Sequence, residues 1–226
     1  MRVVVKLGGA LFRREPNVTA LKDMGKVLSG FVREGNQLVL VAGGGENART
    51  YIGAARKLGA EESTCDLLGI QITRANAELL RLAMGSIASS KIPTMLSDLP
   101  HCVGPGKAVV MGGLQPGQST NAVAALAAEI TRAEILVNGT DVEGVYTEDP
   151  KKNPKAKLIR MVNADKLLSW AMGGEIFAGR YELLDPLAIK IMQRAKMPTR
   201  FVSLADPGNI LAALQGKDIG TRVVYS

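Results

Sequence analysis

An unbroken apolar run at residues 38–42, Leu-Val-Leu-Val-Ala, passes directly into Gly43, Gly44 and Gly45, and a helical pattern starts near Glu46. A short run rich in Val and Leu is the mark of a strand covered on both faces. A strand that leaves through glycines into a helix presents bare backbone N–H groups and the positive end of a helix dipole. That arrangement suits an anion, most often a phosphate. A tight turn alone would need fewer glycines.

The pattern recurs along the chain. Residues 3–7 read as a buried strand closed by Gly8-Gly9, and residues 108–111 as another closed by Gly112-Gly113. Between them, Thr19 can cap a helix carrying Leu21, Met24, Val27, Leu28 and Phe31 on one face and ending at Gly35. Further helices are expected over 46–58, 61–88 and 121–132, from an Asn163 cap to Met172, over 186–195 with Pro at the first turn, and after Asp206-Pro207. Strands are expected at 134–137, 200–203 and 222–225. Residues 92–106, with Pro93, Pro100 and Pro105, read as short strands and turns, and 138–157 as a long loop with room for a hairpin.

Strands alternating with helices throughout predict a single α/β domain over 1–226, with a mostly parallel central sheet and helices on both faces. A chain of 226 residues can bury a full core. Open sheets of this kind bind ligands beyond the carboxyl ends of their strands. All three glycine turns sit at such ends and should converge on one crevice.

The net charge of +7 points to anionic partners, but four Phe, four Tyr and one Trp are few for stacking on bases. The one basic run, residues 151–157, reads as a solvated loop, so no nucleic-acid partner is expected. A small phosphorylated ligand accounts for the charge equally well. No apolar run approaches the roughly 20 residues that span a bilayer, and the N-terminus reads as a strand with no signal-peptide pattern. Cys65 and Cys102 stand apart and suggest neither a disulfide framework nor a zinc site. A reducing cytoplasm is the expected location. The nine Met residues fall among apolar positions as core filler, and His101, the only histidine, sits in a proline-flanked loop unsuited to catalysis.

Two familiar phosphate motifs are close but fail. Gly43, Gly45 and Ala48 satisfy the dinucleotide spacing, with Asp66 where a ribose-binding acid would stand; that acid must end a strand, and residues 59–66 contain none. Gly106-Lys107 lacks the following Ser or Thr and the earlier glycine of a Walker loop. A different device remains. Lys6 ends the first strand just before Gly8, where it can reach phosphates cradled by the glycine turns and neutralise charge developing between donor and acceptor.

Lys6-Leu-Gly-Gly9, Ala42-Gly-Gly-Gly45 and residues 138–146 (Asn-Gly-Thr-Asp-Val-Glu-Gly-Val-Tyr) with Asp149-Pro150 resemble the amino acid kinase family. Residues 69–77 (Gly-Ile-Gln-Ile-Thr-Arg-Ala-Asn-Ala), 111–120 (Met-Gly-Gly-Leu-Gln-Pro-Gly-Gln-Ser-Thr), 146–154 and 185–190 are similar to its archaeal-type uridylate kinases, which phosphorylate UMP with ATP. The resemblance implies a three-layer sandwich and direct phosphoryl transfer with Mg²⁺ bound through ATP, in pyrimidine nucleotide biosynthesis. It also implies a homohexamer built as a trimer of dimers.

By the same resemblance, Lys6 and Asp141 are the catalytic residues, Asp141 holding the lysine and its surroundings in place. Gly8, Gly9, Gly45 and Arg49 would face the ATP phosphates, and Thr140, Tyr146 and Asp149 the adenosine. Gly44 would face the UMP phosphate and Asp66 the ribose hydroxyls. Leu114, Gln115, Pro116, Gly117, Gln118, Ser119 and Thr120 would wrap UMP. No protein metal ligands are expected. Several family members carry a Met-x-x-Lys near the ATP phosphates; here Asp185 stands at that position with Lys190 a turn further on, and neither is placed in the catalytic set. Two other functions stay open at this point. One is the same fold phosphorylating isopentenyl phosphate, carbamate or an amino-acid derivative, and the other is nucleotide or oxyanion binding without turnover.

Overall fold

The computed structural model describes residues 1–173 and 185–226. Its strands are β1 (Arg2–Leu7), β2 (Gln37–Ala42), β3 (Ala108–Met111), β4 (Ile135–Thr140), β5 (Met161–Asn163), β6 (Thr199–Ser203) and β7 (Thr221–Val224). The helices are α1 (Val18–Arg33), α2 (Gly45–Lys57), α3 (Glu62–Met84), α4 (Leu99–Cys102), α5 (Thr120–Ile130), α6 (Ala164–Gly173), α7 (Pro186–Ala195) and α8 (Gly208–Leu214). The strands form one seven-stranded sheet in the order β3-β2-β1-β4-β6-β7-β5. From β3 to β6 every pairing is parallel. β7 runs antiparallel to β6, and β5 pairs parallel with β7.

Successive side chains of a strand point to opposite faces, and the two faces are both buried. Val3, Val5 and Leu7 join Leu38, Leu40 and Ala42 against α1, α3 and α8. Val4, Val39, Val41, Val109, Met111 and Leu136 face the other way, against α5 and α7. The mostly parallel α/β architecture with covered faces is thus as the alternation predicts. The buried alanines of α5 (Ala122, Ala124, Ala125, Ala127 and Ala128) let that helix lie close on the sheet over β1, β2 and β4.

The same parity fixes what lies at the strand ends. Lys6 shares a face with Val4, and Asn138 shares one with Leu136, so both stand under α5. They are also direct partners in the β1–β4 register. The strand order turns back between β1 and β4, with β2 and β3 on one side and β6 on the other. Ligand crevices of open sheets open at such a switch point.

Several local expectations shift. Helix α1 is capped by Asn17, whose side chain accepts from the Ala20 N–H at 3.0 Å, two residues before the expected Thr19. Residues 92–106 hold a 3₁₀ turn at Leu96–Asp98 and the short α4, where Pro100 occupies the first turn. A proline there has no N–H to waste, so it starts a helix as readily as it ends a strand. Helix α3 stops at Met84, with a 3₁₀ turn at Gly85–Ile87 beyond it. The three-residue β5 precedes the α6 helix that Asn163 was expected to cap; the Asn163 side chain does accept from Asp165 N–H at 2.7 Å.

Candidate active site

The three glycine turns end the adjacent strands β1, β2 and β3; the first two meet, whereas Gly112 and Gly113 pack against Ile70 and Thr73 of α3 and are not among the residues that line the cleft around Lys6. The ladder continues past the strands, with Gly8 N–H donating to Gly139 O at 3.0 Å and Gly43 N–H to Leu7 O at 2.9 Å. A Cβ on Gly9 would stand 3.1 Å from the Gly45 Cα, so the first two turns pack backbone to backbone. Gly45 has φ +66°, and a Cβ there would lie 1.9 Å from Phe12 O. Only glycine fits that combination.

Helix α3 grips the second turn from below. The buried Asn76 donates from Nδ2 to Gly43 O at 2.8 Å and to Gly44 O at 3.1 Å. A trans peptide sets its N–H opposite its carbonyl. Pinning those two carbonyls therefore turns the N–H groups of Gly44 and Gly45 away from α3. Helix α2 starts here on Gly44, with no side-chain cap.

The third turn is held by the same helix. Thr73 Oγ1 accepts from Gly113 N–H at 2.7 Å, and Arg74 donates to Gly113 O and Leu114 O, both at 3.2 Å. One level up, Asp66 Oδ2 accepts from Gly117 N–H at 2.8 Å. Thr73, Arg74 and Asp66 therefore fasten the loop 112–117 along one side of α3. In that loop Gln115 and Pro116 are exposed, and the Gln118 Oε1 is buried without a hydrogen-bond partner.

The loop ends at Ser119, which caps α5 by accepting from Ala122 N–H at 3.1 Å and donates its hydroxyl to Asp185 Oδ2. Asp185 caps α7 through Leu187 N–H at 2.8 Å. One carboxylate thus ties together the starts of α5 and α7. Lys190 is exposed on α7.

These elements enclose a cleft of about 370 Å³ lined by Lys6, Gly9, Gly43, Gly44, Gly45, Arg49, Ser119, Thr120, Asn121 and Asp185. Lys6 reaches the first turn, its Nζ lying 3.6 Å from where a Gly8 Cβ would be. Among the described residues, two cationic side chains and the positive ends of α2, α5 and α7 face one carboxylate. The balance favours a polyanion. Among the described residues no group of three or more His, Cys, Asp or Glu could hold a metal ion.

Thr140 ends β4, Asp141, Tyr146 and Asp149 follow on the neighbouring loop, and none of the four is among the residues that line this cleft. Thr140 Oγ1 donates to Val142 O at 2.6 Å, and Asp141 forms an ion pair with Lys151. Asp149 Oδ1 accepts from Lys151 N–H at 3.0 Å. Tyr146 pairs with Leu158 in an isolated antiparallel bridge and donates its hydroxyl to Glu143 at 3.3 Å. Burial first, and Glu143 second, raise the Tyr146 phenol above its ordinary value, so it serves as a neutral hydrogen-bonding group. Lys151 thus reaches from the basic run to a carboxylate next to β4.

The sequence profile of the amino acid kinase family matches residues 1–203. The chain belongs to that family. The uridylate kinase of Methanobrevibacter smithii is 37% identical over 224 residues, 99% of each chain. That of Sulfolobus acidocaldarius is 41% identical over 227 residues, again 99% of each. The crystal structure of uridylate kinase from Archaeoglobus fulgidus superimposes with a TM-score of 0.86 at 35% identity, covering 99% of this chain and 100% of that one.

Membership in the amino acid kinase family agrees with the failure of the dinucleotide spacing, since Asp66 lies in the first turns of α3 and ends no strand. The residues that sequence reasoning left without a role are Thr73, Arg74, Asn76, Asn121, Asn138 and Asp185. Thr73, Arg74, Asn76 and Asn138 stand within quoted motifs, and Asp185 before Pro186 is a helix-start pattern. Nothing local marks Asn121.

Proposed function

We propose that this chain is a single catalytic domain that transfers the γ-phosphoryl group of ATP to UMP, giving ADP and UDP. The observation that carries the reading is the cleft itself: Lys6, Arg49, the Gly44 and Gly45 N–H groups and the α5 start converge on one polyanion-sized space. Full-length similarity to uridylate kinases supports the choice of acceptor.

A UMP phosphate oxygen attacks the γ-phosphorus while the bond to the β–γ bridging oxygen breaks, so no covalent enzyme intermediate is needed. The acceptor oxygen is already anionic and requires no general base. Positioning and charge neutralisation then make up most of the catalysis. Lys6 neutralises charge on the transferring group. Gly8, Gly9, Gly45 and Arg49 hold the ATP phosphates, with Thr140, Tyr146 and Asp149 beside the adenosine and Asp141 organising this side through Lys151. Gly44, Ser119 and Thr120 hold the UMP phosphate, Asp66 the ribose, and residues 114–118 wrap the nucleoside. Asp185, the one carboxylate among the described residues of the cleft lining, would hold a Mg²⁺ that arrives with ATP, and the ion would neutralise phosphate charge there. The proposal includes a cytoplasmic homohexamer built from dimers. Exposed Tyr51, Leu67 and Leu82 on α2 and α3, with Leu58 at the C-cap of α2, are apolar surface suited to contacts between copies. Among the described residues no helix is long and apolar enough to cross a membrane.

The test is coupled turnover of ATP and Mg²⁺ against UMP, CMP, AMP, isopentenyl phosphate, carbamate and glutamate derivatives. UMP should give the highest kcat/KM. Equal or better turnover of another acceptor would overturn the assignment, and ATP binding without any turnover would favour a binding protein.

Asp66→Ala gives a sharper check. It removes a charged hydrogen-bond acceptor from the ribose and also releases Gly117. KM for UMP should rise about 10-fold or more, the worth of a hydrogen bond to a charged group, with KM for ATP little changed. Parallel rises in both constants would make Asp66 a purely structural residue.

A further inference from the structure

Asn138, next to the cleft, is one of two described side chains with a buried oxygen left unpaired, the other being Gln118. Asn138 is 2% exposed, and its Nδ2 donates to Asn121 Oδ1 at 3.0 Å in a buried contact. Its own Oδ1 is buried with no hydrogen-bond partner. A buried carbonyl left unpaired is destabilising. An unsatisfied group of this kind calls for a functional explanation.

Its neighbours supply one. Lys6 is the register partner of Asn138 across β1 and β4, one strand spacing of about 4.8 Å away and on the same face. Asn121 lies above both, at the start of α5, and lines the cleft together with Lys6.

On the reading of the cleft as a phosphoryl-transfer site, we propose that Asn138 is a positioning residue for the transfer. Its carboxamide oxygen accepts one N–H of the Lys6 ammonium as the lysine closes on the transferring phosphate. Its NH2 group holds the Asn121 oxygen, which turns the Asn121 NH2 away from β4. A lysine ammonium carries three donors on a flexible stem. Anchoring one donor leaves the others aimed at phosphate oxygens and limits the lysine's wandering. A neutral carbonyl does this without cancelling the charge that the reaction uses, as a carboxylate at 138 would. No bond is made or broken at Asn138.

The experiment compares Asn138→Leu and Asn138→Thr with the wild type, and repeats Asn138→Leu in a Lys6→Met background. Asn138→Leu should lower kcat about 10-fold or more, the scale of a displaced reacting group. KM for UMP and ATP should change less than about twofold, and the thermal midpoint should change little, because the orphaned Asn138 oxygen is gone while the Asn121 oxygen loses its donor. Asn138→Thr keeps an acceptor in a smaller side chain, so it should retain more activity than the leucine variant and covers the case in which that variant does not fold. In the Lys6→Met background, Asn138→Leu should add no further loss, because its effect runs through the lysine. Equal losses in both backgrounds, unchanged kcat, or a loss that tracks a fall in thermal midpoint would each overturn the positioning role while leaving the kinase reading intact. A wild-type protein that does not turn over UMP would overturn the kinase reading and this inference with it.

Discussion

Lys6→Met should lower kcat by about 10²-fold or more, on the order of 3 kcal/mol of transition-state stabilisation. The methionine keeps the unbranched stem and removes only the charge. Strand β1 delivers Lys6 to the cleft shared by the first two glycine turns, with its Nζ beside Gly8. Its charge matters most once negative charge shifts between phosphates, and an interaction stronger in the transition state than in the ground state is read in kcat. KM for UMP and the thermal midpoint should therefore move little. Steady-state kinetics and a thermal melt on the same preparation check both halves. Near-normal turnover would remove the catalytic role of Lys6 and leave a nucleotide-binding cleft.

Gly45→Ala should have the largest effect on stability. At φ +66° the new Cβ would sit 1.9 Å from Phe12 O and 2.7 Å from the Phe12 Cβ. Phe12 O cannot retreat freely, because it accepts the Glu46 N–H at 3.0 Å, and the Phe12 side chain is buried in the core. The left-handed conformation costs an alanine roughly 1 kcal/mol, overpacking adds about 1–3, and the lost hydrogen bond about 1. A loss of about 3–5 kcal/mol should lower the thermal midpoint by roughly 10 °C or more in a domain of this size. Activity should fall further than stability alone requires, since the Gly44 and Gly45 N–H groups would be displaced from the cleft. Gly53→Ala, on the same helix with nothing within 4 Å of its added Cβ, is the matched control. It should raise the midpoint slightly, because alanine is the better helix former. A Gly45→Ala protein as stable as the wild type would mean that the turn relaxes around the methyl group.

Local chemistry made much of this molecule legible in advance. The Val- and Leu-rich runs, the glycine turns and the helix starts are features of a few adjacent residues, and they recur in β1, β2, β3 and α7 near the expected bounds. Lys6 could be placed at the crevice because a residue ending a parallel strand before a glycine turn has nowhere else to go. The misplacements follow the same logic in reverse. β5 is only three residues long, too short to show a period, and exists because β7 offers it an open edge. Pro100 marks both helix starts and strand ends, and only the packing of α4 decides between them.

The amino-acid sequence by itself determined the layered α/β plan, the glycine turns at the strand ends and the lysine beside them. Each depends on side-chain period, backbone freedom or turn chemistry within a short window. Only the tertiary structure decided the strand order β3-β2-β1-β4-β6-β7-β5, and with it which turns share a cleft. The same holds for the grip of Thr73, Arg74 and Asn76 on the glycine turns, for Asp185 joining the starts of α5 and α7, and for Asn138 standing beside Lys6 under Asn121. These contacts join residues dozens of positions apart. Their partners are chosen by how the helices and strands pack, which no local pattern encodes.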